Sequence, residues 1–186
     1  GLVPVKVSRI GEVPRAMFTA PVTPFAVDVP HPSNGEIARA LSLDPADIGF
    51  GSHQPRLHQG GPRCLHVPVA SRAALARSRP LEPHWSKLIQ PLGTDMAYLY
   101  TPGGDNPKTS YRARMFAPTS GIFEDPATGS ATALLAVKLT QTEQQGLAPT
   151  LAPSHSSSGL PAIQSLFEAD GSAAKAASSR TRVSST

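Results

Sequence analysis

The sequence is short of cysteine and of aromatic residues. Its 186 residues include one cysteine, Cys64, and aromatic residues make up only 5% of the chain. A single thiol excludes a disulfide within the chain and is typical of proteins that fold in a reducing compartment. Long hydrophobic runs are missing too, and no segment reaches the roughly 20 apolar residues of a membrane-spanning helix. We therefore expect no membrane partner.

Clustered charge is absent as well. Lysine and arginine total 17 against 13 aspartate and glutamate residues, which leaves a net charge of +4. The basic residues are dispersed along the chain, without the lysine- or arginine-rich run that is typical of nucleic-acid binding. The positive balance therefore indicates solubility, and we expect no nucleic-acid partner.

Short segments with alternating hydrophobicity predict strands, and a few short helical patterns interrupt them. We expect strands at residues 2–7, 16–25, 62–71, 96–101 and 111–118, and helices within 33–49, at 71–78 and after residue 130. This irregular mixture predicts an α+β or mixed α/β architecture, and α+β is the class we adopt. It argues against a helical bundle or a repeat array.

One stretch carries most of the chemical information: GIFEDPATGSATALLAVKL, residues 121–139. Two carboxylates, Glu124 and Asp125, precede small residues and then an apolar pattern with helical spacing. The helix starts either at Asp125, an aspartate cap followed by proline, or at Ser130. Small residues at such a start let a carboxylate or phosphate approach free N–H groups. The stretch is thus an anion site with an acid beside it, or a turn in which Asp125 is only a cap and Glu124 a solvated charge.

The same stretch resembles a known family. Residues 124–131, EDPATGSA, resemble the signature of the PhzF (phenazine biosynthesis-like) family. Three further segments resemble family patterns: the lead-in with Arg114, Phe116, Pro118 and Gly121, the strand GGPRCLHVPVAS, and MFTAPVTP near the N-terminus. The resemblance covers residues 1–139. It implies the fold of diaminopimelate epimerase, in which two similar domains each wrap a curved mixed sheet around a central helix and the active site lies between them.

The resemblance also implies an activity: an isomerase that moves a proton on a small carboxylated substrate and needs no cofactor. Asp125 and Ser130, the aspartate and serine of the signature, would be catalytic, orienting the substrate and relaying protons. Thr128 and Gly129 would bind the substrate carboxylate with the backbone N–H groups of the turn. Members of the family are commonly cytoplasmic, and many form homodimers.

The resemblance divides the chain into three parts. Residues 1–24 resemble the end of a first epimerase-like domain, and residues 25–150 resemble a second one. Residues 151–186 form a serine- and alanine-rich tail whose composition predicts disorder, although SLFEADGS within it could form a strand and turn. The sequence lacks the catalytic glutamate and the Gly-His-Pro turn of the family's first domain. We therefore expect a truncated isomerase; the alternative is a non-catalytic remnant that binds a small anion or a partner protein.

Potential metal ligands also lie close together in the sequence: His53, His58, Cys64 and His66. Only Cys64 and His66 would share a strand face, and the spacings match no standard zinc pattern, so we expect no metal. Cys64 is predicted to be a small buried residue. Racemisation by two thiols is disfavoured, because Pro126 stands where the related cysteine-dependent enzymes have a thiol.

Two arginines and a tryptophan allow simple structural interpretations. Arg112 and Arg114 lie two positions apart and so share one face of a predicted strand, where they could bind a substrate carboxylate. A solvated strand face is the simpler interpretation. Trp85 is predicted to cover a small core.

Overall fold

The computed structural model describes residues 5–11, 13–18, 22–103, 110–125, 128–135, 139 and 167–169. Pro126 and Ala127 of the signature lie outside these residues, as does all of the predicted tail except 167–169. None of the helices described is long and apolar enough to cross a membrane.

An N-terminal hairpin forms a sheet of its own. Strand β1 (Val5–Ile10) pairs antiparallel with β2 (Val13–Phe18). The single strand predicted at 16–25 is therefore wrong in its extent, because β2 ends at Phe18, inside that range, and β3 (Phe25–Ala26) belongs to the main sheet. Pro24, which cannot donate to a strand ladder, stands directly before β3.

The main sheet is mixed. It contains β3, β4 (Arg56–Gln59), β5 (Arg63–Pro68), β6 (Ala97–Pro102), β7 (Tyr111–Ala117), β8 (Ile122–Asp125) and β9 (Phe167–Ala169). The strands are ordered β3-β4-β5-β6-β7-β8, and β9 pairs with β7. Neighbouring strands are antiparallel except for β5–β6 and β7–β9, which are parallel. β9 coincides with the strand that SLFEADGS allowed.

Three short helices cover one face of the main sheet. α1 (Asn34–Ala40) begins at a capping box, in which Ser33 and Glu36 each accept a hydrogen bond from the other's backbone N–H. α2 (Arg72–Arg77) and α3 (His84–Ile89) lie in the crossover that a parallel β5–β6 pair requires. Together with one sheet face they form the first core, whose largest members include Ile37, Leu41, Leu65, Leu75, Trp85, Leu99 and Phe116. Trp85 is fully buried there, and the prediction that it only covers the core was wrong.

The helix α4, residues 129–135, packs on the opposite face of the sheet. Its side chains form a second core with strand residues, which contains Cys64, Tyr98, Tyr100, Met115, Ala131, Leu134 and Leu135. The predicted alternation along β5 is confirmed, because Cys64 lies in this second core and Leu65 in the first. One sheet thus separates three short helices from a helix that carries the end of the EDPATGSA motif.

Candidate active site at the end of β8

The candidate site forms where β8 ends and α4 begins. Glu124 and Asp125 are the last two residues of β8, and successive side chains of a strand point to opposite faces of the sheet. Glu124 faces the side of α2, and Asp125 faces the side of α4. The two adjacent carboxylates therefore lie in different environments.

Arg114 of β7 binds Glu124. Its Nε and Nη2 atoms donate to the two carboxylate oxygens of Glu124, each at 2.8 Å. Its Nη1 atom donates to the carbonyls of Leu75 and Ser78 at the end of α2, each at 2.9 Å. Only 8% of the Arg114 side chain and 11% of the Glu124 side chain are exposed. Arg114 is thus neither solvated nor available for a substrate carboxylate, and the interpretation of Glu124 as a solvated charge was wrong. Arg112, on the same strand, is partly buried.

Asp125 is partly buried and accepts a hydrogen bond from the loop that follows it. The Thr128 hydroxyl donates to Oδ2 of Asp125 at 2.7 Å. The carbonyl of Thr128 accepts from the backbone N–H of Thr132 at 3.1 Å, the first hydrogen bond of α4. Thr128 therefore occupies the N-cap position, and the helix begins at residue 129, between the two starts that the sequence allowed.

A tyrosine from the sheet reaches the same turn. Tyr98 of β6 is 4% exposed, and its hydroxyl oxygen lies 2.8 Å from Oγ1 of Thr132. Burial raises the pKa of Tyr98 to about 12, and the negative charge of Asp125 acts in the same direction. At neutral pH the phenol is therefore protonated and can donate a hydrogen bond.

A pair of buried histidines lies beside the first turn of α4, and His66 contacts it. Nε2 of His66 lies 3.0 Å from the carbonyl oxygen of Ala131, and because a carbonyl only accepts, Nε2 carries the proton. The Nδ1 atoms of His58 and His66 are 3.0 Å apart. In a neutral His66 the Nδ1 atom accepts, so that His58 donates this bond. His66 thereby connects β5 to α4.

The next two residues of the turn are exposed. Gly129 and Ser130 open the helix, and a Cβ atom added at Gly129 would meet no heavy atom within 4 Å. The packing of the described residues therefore does not require glycine at 129. Without a side chain there, the backbone N–H groups of the turn are accessible to a ligand.

The histidine and cysteine residues do not form a metal centre. In the described part of the chain, no three histidine, cysteine, aspartate or glutamate side chains are grouped so that they could hold a metal ion. His58 and His66 contact each other, whereas His53 lies 3.0 Å from the Tyr100 hydroxyl. Cys64 is fully buried, and burial raises the pKa of its thiol far above the usual range. The thiol is a packed core group, as predicted, and is not activated as a nucleophile.

The four residues predicted for the site lie at the end of β8 and at the start of α4. Asp125 and Thr128 contact each other, and Gly129 and Ser130 follow directly in the exposed start of α4. The sequence predicted that Thr128 contacts the substrate, whereas in the structure the Thr128 hydroxyl donates a hydrogen bond to the Asp125 carboxylate.

Sequence reasoning missed two residues beside the site. Thr132 follows Thr128 by four residues, a spacing that places both on one helix face, so this signal was available. Tyr98 gave no such signal, because it meets the turn only through the packing of α4 on the sheet.

Comparison with known proteins shows the family of the chain. A family model described as phenazine biosynthesis-like protein, PhzC-PhzF, matches residues 1–152. The chain belongs to this family. The relationship predicted from EDPATGSA is thereby confirmed.

Two curated relatives of this PhzF-family chain carry the name isomerase. An uncharacterized isomerase from Mesorhizobium japonicum is 36% identical over 104 residues, which is 54% of this chain and 34% of that protein. An uncharacterized isomerase from Clostridium acetobutylicum is 24% identical over 131 residues, 70% of this chain and 43% of that protein. The chain thus spans less than half the length of the curated relatives it matches.

Solved structures support the fold. The crystal structure of a PhzF-family phenazine biosynthesis protein from Bacillus anthracis matches with a TM-score of 0.64 at 19% identity, over 75% of this chain and 47% of that one. A predicted epimerase from Pseudomonas aeruginosa matches with a TM-score of 0.56 at 27% identity, over 76% and 46%. The chain has the diaminopimelate-epimerase-like fold of the PhzF proteins.

Proposed function

We propose that this chain supplies the Asp125 half of an isomerase site that moves a proton on a small carboxylated metabolite without a cofactor. One observation carries the proposal: the Asp125 carboxylate, bound by the Thr128 hydroxyl, stands at the start of an exposed turn with no side chain at Gly129. Family membership and the isomerase names of two relatives support the reaction class.

In this proposal the turn and the acid have different tasks. The substrate carboxylate binds the backbone N–H groups that Gly129 leaves accessible. Removing a proton from a carbon near a carboxylate builds negative charge on its oxygens, and fixed N–H donors stabilise that charge. Asp125 accepts a hydrogen bond from a polar group of the substrate, orients it and takes part in proton transfer. The exposed Ser130 hydroxyl relays a proton at the same turn.

The proposal assigns the remaining acid–base group to another part of the fold. The chain spans 34% and 43% of its two curated relatives. We propose that residues 25–150 correspond to one epimerase-like domain, and that the glutamate implied by the resemblance belongs to the other domain, in the part of the relatives that this chain does not match. The reaction then takes place between two domains.

The test is exchange of solvent deuterium into a panel of small carboxylic acids, followed by mass spectrometry. Exchange of a proton at a single carbon needs only one acid–base group, whereas isomerisation needs both. We therefore expect deuterium incorporation by this half-site through Asp125, and a loss of about 10²-fold or more in Asp125→Asn, the range for a missing acid–base group. Asp47→Asn is the matched control, because Asp47, partly buried like Asp125, forms its ion pair with Arg77 away from the site. Circular dichroism verifies that all three proteins are folded.

The two other results have distinct meanings. Unchanged exchange in Asp125→Asn removes Asp125 from the reaction. No exchange by the folded chain with any acid of the panel contradicts an isomerase half-site that acts by itself, and supports a remnant that only binds a small anion.

A further inference from the structure

The hydrogen-bond directions beside the site can be assigned. The Thr132 hydroxyl lies 3.0 Å from the carbonyl oxygen of Thr128, and a carbonyl can only accept. The single hydroxyl proton of Thr132 therefore points at Thr128. Tyr98, whose hydroxyl lies 2.8 Å from the same Thr132 oxygen, must then be the donor of the second bond.

These bonds restrain Thr128 from both of its ends. Its carbonyl accepts from the hydroxyl of Thr132 and, at 3.1 Å, from the backbone N–H of Thr132. Its own hydroxyl donates to Asp125 at 2.7 Å. A shift or rotation of Thr128 would therefore move the donor that orients the Asp125 carboxylate.

We infer that Tyr98 is a positioning residue, which orients the Asp125 carboxylate by way of Thr132 and Thr128. This inference rests on the proposed function, because it concerns the carboxylate to which that function assigns the chemistry. Tyr98 comes from β6 in the middle of the main sheet, so that the rigid sheet sets the position of a loop group. A carboxylate held by a loop alone would lack this support.

The surroundings of Tyr98 suit such a role. The residue is 4% exposed, so its hydroxyl is shielded from competing water. Its raised pKa keeps the donor proton in place over the whole range in which proteins are active. A second connection, from His66 to the Ala131 carbonyl, holds the same turn against β5.

The strand offers a matched control. Tyr100 is the next residue of β6 on the same face; it is fully buried, and its hydroxyl lies 3.0 Å from Nδ1 of His53. Tyr100→Phe removes the same group from the same core as Tyr98→Phe, but its bond leads away from Asp125. Thr132→Val removes the middle hydroxyl with little change in side-chain shape.

Two readouts separate positioning from stability. The first is the ¹³Cγ signal of Asp125 in chain labelled at its aspartate carboxyl carbons, assigned by its loss in Asp125→Asn. The second is the deuterium exchange assay, with kcat and KM measured well below the melting temperature of every variant. Misplacement of a catalytic group by about 1 Å can cost 10²-fold in rate.

We expect Tyr98→Phe and Thr132→Val to shift the Asp125 signal and to lower kcat by about ten- to a hundredfold, with KM changed less than about threefold. Tyr100→Phe should do neither, at a comparable loss of stability. In the Asp125→Asn background, Tyr98→Phe should have no further effect on the residual rate, because the two changes act through one carboxylate.

Failure of the positioning role and failure of the proposed function give different results. An Asp125 signal that Tyr98→Phe leaves in place, or that Tyr100→Phe moves equally, overturns the positioning role. If the chain exchanges no proton with any acid, the proposed function fails, and the carbon signal alone still decides whether Tyr98 orients Asp125.

Discussion

At the scale of single residues, two neighbours in the signature have different partners. Glu124 forms a buried forked ion pair with Arg114, whereas Asp125 turns to the other face of the sheet and meets Thr128. Successive side chains of a strand point to opposite faces, so one carboxylate lies in a structural ion pair and the other beside the candidate site.

The buried pair predicts a large effect on stability. Arg114→Ala should lower the free energy of unfolding by about 3–5 kcal/mol, because Glu124 and the carbonyls at the end of α2 lose their donor inside the protein. Arg77→Ala should cost no more than about 1 kcal/mol, because the Arg77 side chain, which pairs with Asp47, is 47% exposed. Urea unfolding of both variants measures the difference. Equal losses would show that burial of the Arg114 pair is not what matters.

A substitution at Gly129, in contrast to one at Arg114, should change function without lowering stability. Gly129→Ala should leave stability unchanged or raise it by up to about 1 kcal/mol, because the new methyl group meets no heavy atom of the described residues within 4 Å and alanine favours a helix. Exchange should nevertheless fall about tenfold or more, because the methyl group stands where a ligand would approach the backbone. A tenfold loss corresponds to about 1.4 kcal/mol of lost interaction.

The control for Gly129 is another glycine at the start of a helix. Gly35 of α1 has only ordinary contacts around an added Cβ, at 3.8 and 4.0 Å, and lies in the first core's layer. Gly35→Ala should match Gly129→Ala in stability and leave exchange intact. Full activity in Gly129→Ala would mean that substrate does not approach this turn.

At the scale of elements, the turn between β4 and β5 determines how closely α4 can pack. A Cβ at Gly60 would lie 2.6 Å from Cδ2 of Leu134 and 3.2 Å from Cα of Pro24. Leu134 is 2% exposed and has little room to move. Gly60 therefore lies between Leu134 of α4 and Pro24, the residue before β3.

This close approach predicts a packing defect. Gly60→Ala should destabilise the protein by about 1–3 kcal/mol, the usual cost of adding a methyl group to a filled core. The shift should lower the melting temperature, in contrast to the alanine variants at Gly35 and Gly129. A companion change of Leu134 to Val, which shortens the clashing side chain, should recover part of the loss. An unchanged melting temperature for Gly60→Ala would show that the turn between β4 and β5 shifts to accommodate the methyl group at no cost in stability.

Elements with local signals could be predicted, and those without could not. The start of α1 has a local signal, because the capping-box residues Ser33 and Glu36 lie within four positions of sequence. α3 was not predicted, because its apolar pattern is short and is flanked or interrupted by Pro83 and Lys87. Its apolar residues, Trp85 and Leu88 among them, are buried only through packing in the first core. The class of the fold followed from the strands, whose period of two is visible without any partner.

At the scale of the whole molecule, the main sheet divides two cores, and ionisable groups are buried in the second one. Burial raises the pKa of the Cys64 thiol, of Tyr98 to about 12, and of Tyr100. In the unfolded chain these groups ionise at ordinary values, about 8.5 for cysteine and 10 for tyrosine. Between the two values the unfolded state releases protons that the folded state retains.

The molecule should therefore lose stability in alkali. Stability should be constant up to about pH 8, decline above about pH 8.5 as the unfolded thiol ionises, and decline more steeply above about pH 10 as the unfolded tyrosines follow. Urea unfolding between pH 7 and 11 measures the curve. Cys64→Ala should remove the first part of the decline and Tyr98→Phe should reduce the second. A wild-type curve that stays level to pH 11 would contradict the burial of these groups.

The sequence by itself determined the family, the α+β class, the strand faces of β5 and β7, and the turn that carries Asp125. Each of these depends on signals within a few positions: a motif, a cap or a period of two. Only the tertiary structure decided that Arg114 serves Glu124, that α4 starts at residue 129, and that Tyr98 reaches Thr132. Those contacts depend on strand order and on which sheet face a helix covers, and such choices are settled by the burial of the whole core, not by any local segment.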